Sequence, residues 1–143
     1  MWYDYFVAAD DETAARELEN PDTARSAGYP ELVAKGVDPE LDLLPVEAVL
    51  TGRTTDEVQN DPAHCPLVAQ VDEGEVVILS LADSFRDALA AADVGALHAA
   101  AVAFVEVNEA GEVEEVAGFL TELAVLAKGA VENGHRLYCE IAC

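Results

Sequence analysis

Apolar positions along this chain recur at two spacings, and the switches between them outline its elements. Trp2 to Ala8 is a run of aromatic and apolar residues suited to a first strand. Alternation puts Tyr3, Tyr5 and Val7 on one side and Trp2, Asp4, Phe6 and Ala8 on the other. Asp10 or Asp11 then caps a short helix reaching about Glu19, with acids in the first turn, where the helix dipole favours them. Pro21 to Pro30 reads as irregular connection.

The segment GVDPELDLLPVEAVLTG predicts two helical turns, one begun by Pro39 and one by Pro45, because proline is tolerated at the first helical position. Gly52 is placed to end the second, and Thr54 with Glu57 three residues later fits a capping box for another short helix. CPLVAQVDEGEVVILSL reads as a hairpin: Leu67 to Val71, a turn near Asp72 to Gly74, and a return strand from Glu75 to about Leu79. Asp83 or Ser84 is expected to cap a helix to about Ala92. Val94 to Val107 is alanine-rich and ambiguous, its last part readable as strand.

Beyond Gly111 lies the clearest helix. Val113, Val116, Phe119, Leu120, Leu123, Ala127, Ala130 and Val131 recur every three or four residues, and Asn133–Gly134 supplies the stop. Arg136 to Cys143 reads as the last strand, with Leu137, Cys139, Ile141 and Cys143 on one face. The predicted class is therefore α+β: one mixed sheet packed against several helices, with a long C-terminal helix followed by a final strand. No repeat or boundary divides residues 1–143, so one domain is expected.

Composition adds one strong constraint. In 143 residues there are 29 Asp plus Glu against 7 Lys plus Arg, a formal charge of −22, yet 52% of positions are hydrophobic. The apolar content supports a folded core, and a chain of this length buries roughly two-thirds of its unfolded surface. Most carboxylates lack a basic partner and must face water, since burying them unpaired is costly. Sparse cations argue against direct nucleic-acid binding and point instead to basic proteins, cations or cationic small molecules as partners. A solvated, aggregation-resistant surface is the plain alternative. No stretch of 18 apolar residues and no signal-peptide pattern is present, so no membrane span and a cytoplasmic location are expected.

Candidate chemistry competes with ordinary structure at each position. Cys139 and Cys143, four apart in a strand, lie roughly 13 Å apart, too far for a shared zinc or a disulfide. Buried thiols explain them better, and His135 beside them is expected to be structural or exposed rather than a ligand or catalytic group. His64 next to Cys65, between Pro62 and Pro66, forms a constrained loop in which a Cys–His nucleophilic site is conceivable; adjacency alone does not build one. His98, in the alanine-rich segment, is expected to be a satisfied helix side chain rather than a lone catalytic group. Asp72, Glu73 and Glu75 do not match a calcium loop, and Asp10, Asp11 and Glu12 suit helix capping better than paired-acid hydrolysis. No phosphate-binding GxxxxGK, GxGxxG, HExxH or GxSxG sequence occurs. No catalytic, cofactor or metal residues are assigned, and no reaction follows.

The order of segments resembles the YfbM-like, domain-of-unknown-function 1877 group. YDYFVAADDE, GVDP followed by VEAVLTG, and the closing AGFLTELAVLAKGAVENGHRLYCEIAC carry the resemblance across most of the chain. It implies a compact α+β protein, with no substrate class and no catalytic residue to carry over. The leading functional expectation is an acidic accessory or interaction domain that binds a basic partner. A small-molecule-binding domain or unrecognised enzyme, and a structural oligomer subunit, are the alternatives.

Overall fold

The computed structural model describes residues 2–19 and 31–142. The expected irregular segment Pro21 to Pro30 and the side chain of Cys143 lie outside the described residues. In chain order the elements are β1 (Trp2–Ala8), α1 (Asp11–Glu19), β2 (Glu31–Lys35), α2 (Leu44–Thr51), α3 (Thr55–Gln59), β3 (Leu67–Val71), β4 (Val76–Ser80), α4 (Asp83–Ala91), α5 (Val94–Asn108), α6 (Val113–Asn133) and β5 (Arg136–Ala142).

The strands form one sheet in the order β2-β1-β5-β4-β3. The expected α+β class is observed, including the long helix that runs directly into the last strand. Among the described residues strand direction is more uniform than a mixed sheet, because all four ladders are antiparallel. The β3–β4 hairpin supplies one of these ladders locally. The centre is long-range: β5 inserts between β1 and β4, pairing Tyr5 with Cys139 and Cys139 with Leu79.

Alternation in β1 buries both of its faces. Tyr3 and Tyr5 join Leu79, Leu137 and Cys139 in the main core, which is completed by Leu43, Phe85, Phe104, Leu120 and Leu123 from the segments packed on that side. On the opposite face Phe6, Ala8, Ile78 and Tyr138 pack with Ala14 of α1. Phe6 and Tyr138 stack across the strands with ring centroids 5.7 Å apart.

Local signals explain most boundaries. Asp10 Oδ1 accepts from Thr13 N at the start of α1, and Thr54 and Glu57 complete the reciprocal capping box of α3. Gly52 and Gly134 close α2 and α6 in the left-handed conformation. Residues 39–43 form a turn, closed by Asp42 N and Leu43 N donating to Asp38 O, so the helix begins only around Pro45.

One strand was missed and two expectations are corrected. Glu31–Lys35 is a strand that alternation did not reveal, because its five residues gain their regularity from pairing with β1. Val94–Asn108 is helical throughout: Asp93 caps it, and Leu97, Ala100, Ala101 and Phe104 turn one face to the core. Asp83 does not cap α4. It is the first helical residue, and its carboxylate instead receives Arg136 Nε at 3.2 Å and lies 3.4 Å from Arg86 Nη1. Among the described residues, no helix is long and apolar enough to cross a membrane.

Candidate functional site

The constrained loop flagged by sequence folds into a structural brace. Asp61 Oδ1 accepts from Ala63 N, and Asp61 O accepts from His64 N, tightening the turn after α3. Arg53 Nη2 holds the same turn through Asp61 Oδ2 at 3.0 Å and Glu57 O at 3.0 Å. These bonds direct the His64 ring inward, where Nε2 lies 3.1 Å from Glu40 O. Nδ1 lies 3.8 Å from Glu47 Oε1, ion-pair range but too long for a hydrogen bond. The Glu47 carboxylate raises the proton affinity of His64, against the opposing effect of burial. When protonated, this imidazole, held between a carboxylate and a backbone carbonyl, fastens the loop to α2.

Cys65 next to it is buried and sits at φ 49°, an unusual conformation for a residue with a side chain. Burial pushes its thiol well above the usual range, and the negative charges of Glu47, Glu40 and Asp38 push it further. A reactive cysteine needs the opposite, an electropositive and accessible setting. The setting of Cys65 beside His64 therefore disfavours a nucleophilic thiolate.

The remaining candidates are dispersed. Cys139 is a buried free thiol, as expected, and His98 is exposed on α5. His135 precedes β5 and contributes its carbonyl, which accepts from Arg86 Nη1 at 2.9 Å. Asp11 accepts from Arg136 Nη1 and from the Tyr138 hydroxyl, while Glu12 pairs with Arg16. Glu73 and Glu75 are exposed, and no group of His, Cys, Asp and Glu among the described residues is arranged to hold a metal ion.

What sequence reading missed is an open cleft of about 390 Å³ between the β2–α2 loop, the end of α5 and the first turns of α6. Val37, Phe104, Val116 and Phe119 give it an apolar lining; Asp42, Asn108 and Glu115 are its polar side chains. One wall is pinned from within: the Tyr5 hydroxyl donates to Val37 O at 2.6 Å, and Asp42 Oδ2 accepts from Asp38 N at 2.9 Å. Asn108 Nδ2 donates to Asp42 O at 3.0 Å and ties the two walls together. Phe119 meets Tyr5 edge-on at 5.6 Å, which anchors it to the sheet. Gly111 (φ 84°) lets the link between the helices pass close, since a Cβ there would lie 3.3 Å from Val116 Cγ2.

The wall segments are rich in acids. Residues 36–42 carry Asp38, Glu40 and Asp42, and residues 106–115 carry Glu106, Glu109, Glu112, Glu114 and Glu115; neither stretch contains Lys or Arg. Glu106 and Glu109 lie at the C-terminal end of α5, where the helix dipole disfavours negative charge. Glu109 also ends that helix in the left-handed region, at φ 50°, a position that favours glycine. By contrast, Arg16, Arg53, Arg86 and Arg136 are all engaged with carboxylates of this chain. The acid-only stretch 106–115 was the available sequence signal; its convergence with residues 36–42 was not visible. No family model, curated protein or solved structure matches this chain.

Proposed function

We propose that this chain is an acidic accessory domain that engages a basic protein partner through the walls of the α5–α6 cleft. One observation carries the reading: two carboxylate-bearing segments, remote in sequence and devoid of cations, border the same apolar-lined concavity. Four arginines are spent on internal ion pairs, leaving these walls as a negative field to steer a cationic surface. The YfbM-like affiliation belongs to this proposal and rests on segment order. Cytoplasmic residence does too, supported by the free, buried thiols of Cys65 and Cys139, which suit a reducing compartment.

A small-molecule-binding role is the second reading. The cleft volume favours it, lying at the lower end of the range of ligand pockets, roughly 300–1,000 Å³. No reaction is assigned, because the cleft contains no nucleophile paired with a base.

An arginine-rich peptide titrated into the full chain at about 10 mM salt, where the Debye length is about 30 Å, tests the partner reading. Neutralising Glu112 and Glu114 to Gln is expected to weaken binding more than neutralising Glu73 and Glu75 on the hairpin. Equal losses would reduce the effect to overall charge and defeat the proposal.

A further inference from the structure

The side chains lining the cleft offer hydrogen-bond acceptors and almost no donors. Asp42 lines the cleft with a carboxylate whose Oδ2 accepts from Asp38 N. Asn108 also lines the cleft; one hydrogen of its amide nitrogen goes to Asp42 O, and its Oδ1 is an acceptor. Glu115 adds an exposed carboxylate from the first turn of α6. The complement of such a lining is a donor-only cation, and the two side chains of that kind are arginine and lysine. Between these acceptors lie Val37, Val116 and the two phenylalanines, suited to an apolar stem and to the flat face of a weakly hydrated guanidinium.

We propose that the cleft seats one arginine side chain of the basic partner, with its stem on Phe104, Val116 and Phe119 and its guanidinium held among Asp42 Oδ1, Asn108 Oδ1 and the Glu115 carboxylate. This inference rests on the partner-binding reading and adds the anchoring residue type to it. A lysine presents its charge at a point and lacks the planar fork that reaches acceptors on two walls at once.

The test is a titration of isotope-labelled full-length chain with the capped pentapeptide Gly-Gly-Arg-Gly-Gly, followed by NMR. The lysine and citrulline versions serve as comparators. Saturable shifts of the Asn108 side-chain amide and the Gly111 backbone amide are expected with arginine, weaker ones with lysine and none with citrulline. Asp42→Asn and Glu115→Gln should each lower affinity about tenfold, the scale of losing a charge-assisted hydrogen bond. Glu112→Gln and Glu114→Gln, on the same wall but not lining the cleft, should lower it much less. Because Asp42 also braces its own loop, the exposed Glu115→Gln is the deciding variant. Equal effects of Glu114→Gln and Glu115→Gln, or unmoved Asn108 and Gly111 signals, would overturn the anchor. If the arginine-rich peptide still bound through the walls, the partner reading would survive; loss of both interactions would sink both.

Discussion

Glu47 and His64 face each other inside the protein, with Oε1 and Nδ1 3.8 Å apart and 4% and 5% of the two side chains exposed. They come from α2 and from the turn after α3, so their attraction closes that part of the chain onto the core.

Stability should therefore depend on the protonation of His64. The folded state raises its proton affinity above the usual value of 6.5, through Glu47 first. The contribution is complete below that value and is lost as pH rises through the folded-state value. Urea unfolding followed across neutral pH should show a declining midpoint in the native chain. The His64→Gln variant should lose that pH-dependent component. His64→Ala should cost about 3 kcal/mol at mildly acidic pH, because it strands a buried carboxylate.

The thiols of Cys65 and Cys139 should be inert in the folded protein. Both are buried, and burial raises both above the usual thiol range. In a Cys143→Ser background, a thiol-specific reagent should label the chain only as it unfolds. Rapid labelling under native conditions would show that one of these sites opens to solvent.

Glu109→Gly should stabilise the protein by about 1 kcal/mol. The substitution removes a side chain from the left-handed position at φ 50° and a negative charge from the wrong end of α5. Thermal unfolding measures this directly. A lower midpoint would mean that Glu109 makes a compensating contact.

Tyr138→Phe should cost about 1 kcal/mol, since the hydroxyl donates to Asp11 Oδ1 at 2.8 Å and ties β5 to α1. Arg136 reaches the same carboxylate and also Asp83, but keeps 34% of its side chain exposed. Solvent screening therefore limits Arg136→Ala to about 1 kcal/mol or less. Chemical denaturation of both variants ranks the two contacts.

Added salt should raise the unfolding midpoint. A formal charge of −22 repels itself, and raising salt from about 0.01 M to 0.15 M shortens the Debye length from about 30 Å to 8 Å. A midpoint indifferent to salt would mean that the charges are already neutralised in pairs.

Where local chemistry governs, residues were enough to read the structure. The capping box of Thr54 and Glu57, the glycine stops at Gly52 and Gly134, the hairpin about Asp72–Gly74 and the stripe through Leu120 and Leu123 all depend on neighbours within a few positions. The same proximity explains the failures. Glu31–Lys35 becomes a strand by pairing with β1, and Asp83 is drawn from a capping role into contacts with Arg86 and Arg136.

By itself the sequence determined the α+β class, most helix and strand positions, and a surplus of negative charge, because periodicity, capping and composition are properties of adjacent or counted residues. Tertiary structure alone decided that β5 lies between β1 and β4, that Glu47 meets His64, and that residues 36–42 and 106–115 face one another across a cleft. Those relations join positions far apart along the chain. They are selected by the packing of whole elements around a shared core, which no local pattern encodes.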